Sequence, residues 1–414
     1  MSPNNTSELP RYVFEGSGAP EAQLRGSNAI LVSAENLSAI LTCYGARTDE
    51  ETLNRITARQ NPYGQKRGGL GYGGFFKVKP VDDSPDALRA TVRSGIVNVN
   101  LYARRQAEES PVSLELLDPA ARFLRFTVGG RTVGTGSIPP VPGWLGKTLS
   151  DGTPVAQIVQ VHGPNLVSIW GRNRCTLFDE GTACSFCMFD GGGNNASRTM
   201  DQVIEAIQVM RSTETPGDTN RHNNLTLTTG MLLPEDMDPL VADIARFKST
   251  FPGFRLALET TPMAGPERSY LADLKQAGLD TLMIPLDCAS PKAQEEHLPG
   301  KAALLQRDYW DCVDSATKVF AANNVTSSLL VGLEPLEVTV EAMRQMANRG
   351  VVPEPLPVRW NDSRWMAESP RPLTKPRDLI LVRQKLEEIL KTMEAGGPLA
   401  GCASCGGCTG IRKK

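Results

Sequence analysis

Two hydrophobic periodicities divide the chain. From about residue 152 onward, short apolar runs alternate with longer stretches in which apolar side chains return every three or four residues. Runs of the first kind fit strands, and the second spacing is one face of a helix. Strands are expected at 166–170, 225–229, 255–259, 281–286, 327–331 and 351–358, with helices at 199–211, 235–248, 267–277, 306–322 and 336–348. In the first helix Val203, Ile207 and Met210 share a face, and Thr199 and Gln202 are placed as a capping box. A last amphipathic helix, 376–394, carries Leu379, Val382, Leu386, Ile389 and Met393 on one side. Strands alternating with helices imply right-handed parallel crossovers. Six strands make an α/β fold of the open, partial (β/α)6 barrel kind rather than a closed eightfold barrel. Ligands of such sheets bind at the carboxyl ends of the strands.

The first third reads differently. Residues 1–25 are polar, with Pro and Gly, and are expected to be a loose tail. Ile30 to Val32 fit a short strand or helix start, and short helices are expected at 37–41 and 49–57. Residues 97–101 alternate apolar and polar, and 114–117 and 123–128 look like further strands, the latter turning at Gly129-Gly130 into Arg131-Thr132-Val133. The expected organisation is a smaller, strand-rich mixed α/β domain over 1–150, the partial barrel over 151–365, and a helix with a cysteine-bearing tail over 366–414. The run Pro139-Pro140-Val141-Pro142-Gly143, unable to pair in a sheet, marks the first boundary.

Composition narrows the class. The 414 residues are 40% hydrophobic and 22% charged, as in soluble globular proteins, and the net charge is −2. Such a balance makes no electrostatic case for nucleic acid or an acidic membrane. No apolar run is long enough to span a bilayer, and residues 1–10 lack the features of a secretory signal, so a cytoplasmic protein is expected.

The nine cysteines change the picture. Six fall in two triplets: Cys175, Cys184 and Cys187 just after the first barrel strand, and Cys402, Cys405 and Cys408 near the end. A disulfide framework would scatter them, whereas thiols two residues apart can converge on one metal centre. Cys43, Cys288 and Cys312 lie singly and fit buried inert thiols. Three thiolates on a cubane [4Fe–4S] cluster leave one iron open to an external molecule, where a fourth cysteine would close it. A structural zinc site, the alternative, normally takes four closed ligands, and no fourth Cys or His is near in sequence.

The first loop resembles the cluster loop of the radical S-adenosylmethionine superfamily. It carries that superfamily's Cys, any residue, aromatic, Cys as Cys184-Ser185-Phe186-Cys187, with eight residues rather than three between the first two cysteines. Within the superfamily it is most similar to a subgroup that bacteria encode beside nitrilase-like proteins. That likeness extends over Asp151-Gly152-Thr153-Pro154, His162-Gly163, Thr228-Thr229-Gly230 and Leu298-Pro299-Gly300-Lys301-Ala302. The resemblance implies a [4Fe–4S] cluster, bound S-adenosylmethionine and a reductant such as flavodoxin or ferredoxin. It implies a 5′-deoxyadenosyl radical that takes hydrogen from a small-molecule substrate. By the same resemblance Phe186 lies near the adenine, and Thr228, Thr229 and Gly230 replace the usual Gly-Gly-Glu against the cofactor's amino group. Glu259 and Asp287, at strand ends, suit a ribose diol or an ammonium group, and Gly332 and Glu334 belong to the segment along the adenine. Solvated strand ends are the plain alternative for the acids.

The second triplet has the same vacancy. In enzymes that resemble this one, such an auxiliary iron–sulfur cluster relays electrons, binds substrate or gives up sulfide. The leading expectation is a sulfur-inserting transferase. The others are electron transfer in a rearrangement or oxidation, and a non-catalytic metal or metalloid carrier. A tail that chelates metal by accident, or captures arsenite, is open as well. Gln65 to Gly74 is read as a glycine-rich loop, either a surface turn or an anion nest headed by Lys66 and Arg67. The nest would favour a phosphorylated or nucleotide-sugar substrate. Arg359 and Trp360, ending the sixth strand, are candidates for substrate contact. His162 is structural or catalytic, His222 is expected to be solvated, and His297 lies near Lys301.

Overall fold

The structure is a computed structural model. It describes residues 11–14, 29–32, 34–48, 65–66, 71–80, 95–100, 110–118, 123–137, 142–161, 166–170, 175–187, 198–214, 222–358, 374–394 and 396–405.

The first part holds β1 (Arg11–Phe14) and β2 (Ala29–Val32), paired in parallel, and helix α1 (Ala34–Cys43). It continues with β3 (Gln65–Lys66), β4 (Gly71–Pro80), β5 (Gly95–Asn100), β6 (Val112–Asp118), β7 (Phe123–Val128) and β8 (Arg131–Ser137). These six form an antiparallel sheet of order β3-β4-β8-β7-β6, with β5 also on β4. Gly129 and Gly130, both at positive φ, close the expected two-residue hairpin between β7 and β8. Leu37, Ile40 and Leu41 of α1 pack on Val112, Leu114, Leu124 and Phe126 of the sheet.

Two expectations are corrected here. The polar N-terminal stretch contains β1, because Tyr12, Val13 and Phe14 are residues that favour a pleated strand. The glycine run is not one loop: Gly71 to Gly74 lie in β4, paired to β3 and β5, which leaves only 67–70 between the strands. The helix expected at 49–57 lies outside the described residues.

The second part begins with α2 (Val155–Ile158) and β9 (Gln160–Val161), then runs β10 (Leu166–Trp170), α3 (Met200–Thr213), β11 (Asn224–Thr228) and α4 (Pro234–Thr250). It continues as β12 (Arg255–Glu259), α5 (Tyr270–Gln276), β13 (Thr281–Met283), α6 (Pro291–His297) and α7 (Ala302–Val319). β14 (Val325–Val331), α8 (Leu336–Asn348) and β15 (Val351–Pro357) complete it. β10 to β15 are all parallel and stand in chain order, the open sheet expected for a partial (β/α)6 barrel. β9 adds an antiparallel edge strand that the sequence pattern does not announce.

Each central strand alternates in a way that explains the arrangement. Val167, Ile169, Leu225, Leu227, Leu256 and Leu258 join the main core, on the outer face that the helices cover. The side chains between them are largely polar and also buried: Ser168, Asn224, Thr226 and Thr228. Parallel sheets covered on both sides usually read as continuous apolar runs. A polar inner face therefore marks an interior built for polar contacts. The capping box on α3 forms as expected, with Thr199 Oγ1 accepting from Gln202 N at 3.2 Å and Gln202 Oε1 accepting from Thr199 N at 3.2 Å.

Helix α9 (Pro376–Leu390) ties the two parts. Leu379, Val382, Leu386 and Ile389 enter the main core, Ile380 packs on the α1 cluster, and Arg383 Nη1 donates to Ser38 Oγ at 3.3 Å. A short final helix, α10 (Gly401–Cys405), follows.

Candidate active site

The three-thiol loop begins just past β10. Cys175 precedes a single 3-10 turn, Thr176–Phe178, whose Leu177 is buried. The loop folds back as Thr182 N donates to Leu177 O at 2.9 Å, and Cys187 N donates to Cys184 O at 3.0 Å. Two neighbouring segments seat it. Residue 230, after β11, has to be glycine, because a Cβ there would lie 2.5 Å from the Cys175 Cβ and 2.6 Å from its Cα. On the other side the 297–301 segment runs against the loop. Ser185 N donates to His297 O at 2.9 Å, Ser185 Oγ lies 3.3 Å from His297 Nδ1, and Gly300 N donates to Thr182 O at 3.0 Å. A Cβ on Gly300 would meet Leu177 and Thr182 at 2.7 Å.

These contacts place Cys175, Cys184 and Cys187 at the carboxyl ends of the parallel strands, each half-buried. Burial pushes the Cys184 thiol up, Lys301 opposes it, and Asp287 and Cys175 add to it. Cys184 and Cys175 thus share one electrostatic neighbourhood. Among the described residues no three His, Cys, Asp or Glu side chains are gathered tightly enough for one metal ion. The donor set, three thiols around a glycine-lined seat, fits an iron–sulfur cluster, which takes its thiolates on separate irons.

The sequence-predicted acids fare unequally. Glu259, ending β12, accepts from Thr228 Oγ1 at 3.0 Å, and its backbone oxygen accepts from Thr229 N at 3.0 Å. Thr228, Thr229, Gly230 and Glu259 therefore form one group beside Cys175. Asp287 is instead committed to protein: it accepts from Lys301 Nζ at 2.7 Å and from Ser328 Oγ at 3.1 Å. Glu334 is committed too, accepting from Ala289 N and Ser290 N at 2.9 and 2.8 Å. Gly332, at φ +110, lies against Thr374. Phe186 is half-buried against the main core. Lys66 lies in β3, with its side chain outside the described residues, and Arg67, Arg359, Trp360, His162 and Cys408 lie outside them altogether. His222 is buried rather than solvated, with Nδ1 2.7 Å from Glu214 Oε1, because that carboxylate comes back across the end of α3.

His297, Gly300 and Lys301 are the seat residues that single-residue reasoning undervalues. Their signal in the sequence is the glycine beside a lysine in an otherwise apolar stretch, and only the folded contact with 182–185 gives it meaning.

The terminal segment lies at the opposite end of the sheet. Leu399 N donates to Asn324 Oδ1 at 3.0 Å, Ala400 N to Thr281 Oγ1 at 3.1 Å, and Gly401 N to Asn224 Oδ1 at 3.1 Å. Asn224 and Thr281 open β11 and β13, and Asn324 immediately precedes β14. Asn323 Nδ2 also donates to the backbone oxygens of Glu394 and Gly396. With Arg255, which opens β12 and donates from Nη1 to Leu399 O at 3.3 Å, five side chains at the amino ends thus hold the backbone that leads into Cys402 and Cys405. A five-residue strand such as β11 separates the two ends, roughly 15 Å at the usual rise per residue. Replacing Asn224 by Ala strands the buried Gly401 N–H and is expected to cost about 1–3 kcal/mol. Urea unfolding measures the loss, and limited proteolysis should find the tail more readily cut.

No family model matches this chain. Among curated proteins it is 23% identical over 300 residues to bacteriochlorophyllide c C-7(1)-hydroxylase of Chlorobaculum limnaeum, covering 67% of this chain and 72% of that protein. Among solved structures it is similar to HydG, a maturase of the [FeFe]-hydrogenase, at TM-score 0.42 and 17% identity, over 57% of this chain and 50% of that one. It is similar to methylornithine synthase (PylB) at TM-score 0.39 and 15% identity, over 56% and 64%. For coproporphyrinogen III oxidase (HemN) of Escherichia coli, a radical SAM enzyme, the values are 0.35 and 15%, over 55% and 53%. The chain spans half to under two thirds of these solved proteins. No helix among the described residues is long and apolar enough to cross a membrane.

Proposed function

We propose that this chain is a radical S-adenosylmethionine enzyme in which Cys175, Cys184 and Cys187 hold a [4Fe–4S] cluster at the carboxyl ends of the sheet. The observation that carries this reading is the seat itself: a three-thiol loop held against Gly230 at Cys175, and against the 297–301 segment at Thr182 and Ser185, at the ligand-binding end of a parallel sheet. When bound, the cluster and S-adenosylmethionine supply a 5′-deoxyadenosyl radical that takes hydrogen from an unactivated carbon of a small-molecule substrate.

The chain's own residues bind and orient. Thr228 and Glu259, joined to each other, present a hydroxyl and a carboxylate of the kind that holds a ribose diol or an ammonium group. Thr229 and Gly230 offer backbone groups in the place of an acidic side chain. Phe186, between two thiols in sequence, offers an aromatic face for the adenine. Asp287 and Glu334 serve by holding walls, since their carboxylates are taken by Lys301 and by the Ala289 and Ser290 amides.

The role of the second thiol set turns on its position. Cys402 and Cys405 lie on α10, which enters from the amino ends of the strands, with Gly401 N bonded to Asn224 Oδ1 and Gly401 packed against Ala257 in mid-β12. Entry from the amino end, opposite the three-thiol loop, favours electron transfer in an oxidation over direct sulfur donation, and the similarity to a hydroxylase supports that choice. A reductant of the flavodoxin or ferredoxin type would supply the first electron. Anaerobic reconstitution with iron and sulfide, followed by dithionite and S-adenosylmethionine, tests the reading. Formation of 5′-deoxyadenosine and methionine is expected. Stoichiometric zinc with intact S-adenosylmethionine would overturn it in favour of a non-catalytic metal carrier. Retention of label from heavy sulfide in the product would restore sulfur insertion.

A further inference from the structure

The 297–301 segment does more than seat the loop. It ends in Lys301, whose ammonium is buried and bound to the buried Asp287 carboxylate at 2.7 Å. Asp287 is itself fixed. It adopts φ +63, a conformation uncommon for a residue with a side chain. Its amide donates to Ser328 O at 2.9 Å, its carbonyl accepts from Leu330 N at 2.7 Å, and its second carboxylate oxygen accepts from Ser328 Oγ. Gly300, the residue before Lys301, is bonded to Thr182, and His297 to Ser185, so the charge pair and the thiols are held by one scaffold. A buried, well-packed ion pair of this kind is costly to build, and neither charge is needed to close a turn or cap a helix.

We propose that Lys301 is the fixed counter-charge to the reduced iron–sulfur cluster, and that Asp287 sets how much of that charge the cluster feels. The proposal rests on the reading of the three-thiol loop as a cluster seat. Its physical basis is that adding an electron makes the centre more negative. A nearby cation in a dry, low-dielectric interior favours the reduced state, and a nearby anion disfavours it. The Asp287 carboxylate, 2.7 Å from the Lys301 Nζ, keeps the buried ammonium charged. Lys301 is a positioning residue for charge, not a group that touches substrate.

The two partners therefore have opposite signatures. The test is an EPR-monitored redox titration of the full-length, anaerobically reconstituted protein, following the signal that disappears in the Cys184→Ala variant. Lys301→Met is expected to shift the midpoint potential to a more negative value. Asp287→Asn, which leaves the ammonium unbalanced, is expected to shift it to a more positive one. Lys301→Arg keeps the charge and is expected to stay close to the unaltered protein. Shifts of the same sign in Lys301→Met and Asp287→Asn, or none in either, overturn the proposal, because a merely structural pair would not separate them. If Lys301→Met binds no iron, Asp287→Asn decides alone: a positive shift supports the proposal and any other result overturns it. Unaltered protein with no reducible iron at the loop overturns the reading of the loop, and the proposal with it.

Discussion

Replacing Cys184 by alanine is expected to remove about four irons per chain and abolish cleavage of S-adenosylmethionine, while the melting temperature of the metal-free protein hardly moves. Cys184 is half-buried and packs beside the core, but the backbone bonds that shape the loop run from its neighbours: Ser185 N to His297 O and Thr182 N to Leu177 O. Removing one sulfur from a half-exposed position leaves those bonds in place. On the proposed reading it removes one of three ligands, and a cluster held by two thiolates would have too few protein bonds to persist through anaerobic desalting. Iron and sulfide analysis, with circular dichroism on the same samples, checks both halves. Full iron content in the variant would mean that Cys184 is not a ligand.

Gly230→Ala is expected to lower iron occupancy and S-adenosylmethionine cleavage at least as far as any change that leaves all three thiols in place. The new Cβ would sit 2.5 Å from the Cys175 Cβ, 2.6 Å from its Cα and 2.9 Å from its nitrogen. Those are not flexible side-chain ends, so no rotamer change relieves the overlap. Either Cys175 moves away from its partners, or Gly230 pulls back from the Thr229 amide's bond to Glu259 O. Both disturb the cofactor side of the mouth, and a loss of about 1.4 kcal/mol in the transition state is already tenfold in rate. Gly253→Ala is the matched control, since nothing lies within 4 Å of a Cβ there. It should retain iron and cleavage. Equal activity in the two variants would contradict the close approach of β11 to Cys175.

Much of this arrangement is legible in the sequence, for identifiable reasons. Six strands alternate with helices strongly enough that β10, β12 and α8 fall where periodicity places them, and Thr199 announces its helix through capping chemistry. β13 is shorter than its apolar run, because after Met283 the regular ladder breaks and resumes on β14 only as a single bridge at Asp287, whose φ is +63. β1 and β9 escape notice because two- to four-residue strands carry too few alternations to register. In the site, the cysteine spacing is a local signal and survives translation into structure. The roles of Asp287, Glu334 and His222 are not local. Each depends on which partner arrives from far along the chain: Lys301 and Ser328, the Ala289 and Ser290 amides, and Glu214. An acid at a strand end looks available until those partners are known. The same holds for the terminal thiols, whose spacing suggests a metal but says nothing about the end of the sheet to which Asn224, Thr281 and Asn324 deliver them.

On the proposed reading the three-thiol loop leaves one iron open to S-adenosylmethionine. The EPR spectrum of the dithionite-reduced protein, recorded before and after S-adenosylmethionine is added, tests this most directly. A Cys402→Ala/Cys405→Ala variant removes any signal from the second thiol set. A reduced [4Fe–4S] signal whose g-values change when S-adenosylmethionine is added is expected. A spectrum that S-adenosylmethionine leaves unchanged, or the absence of any reducible cluster on Cys175, Cys184 and Cys187, would rule the open iron out.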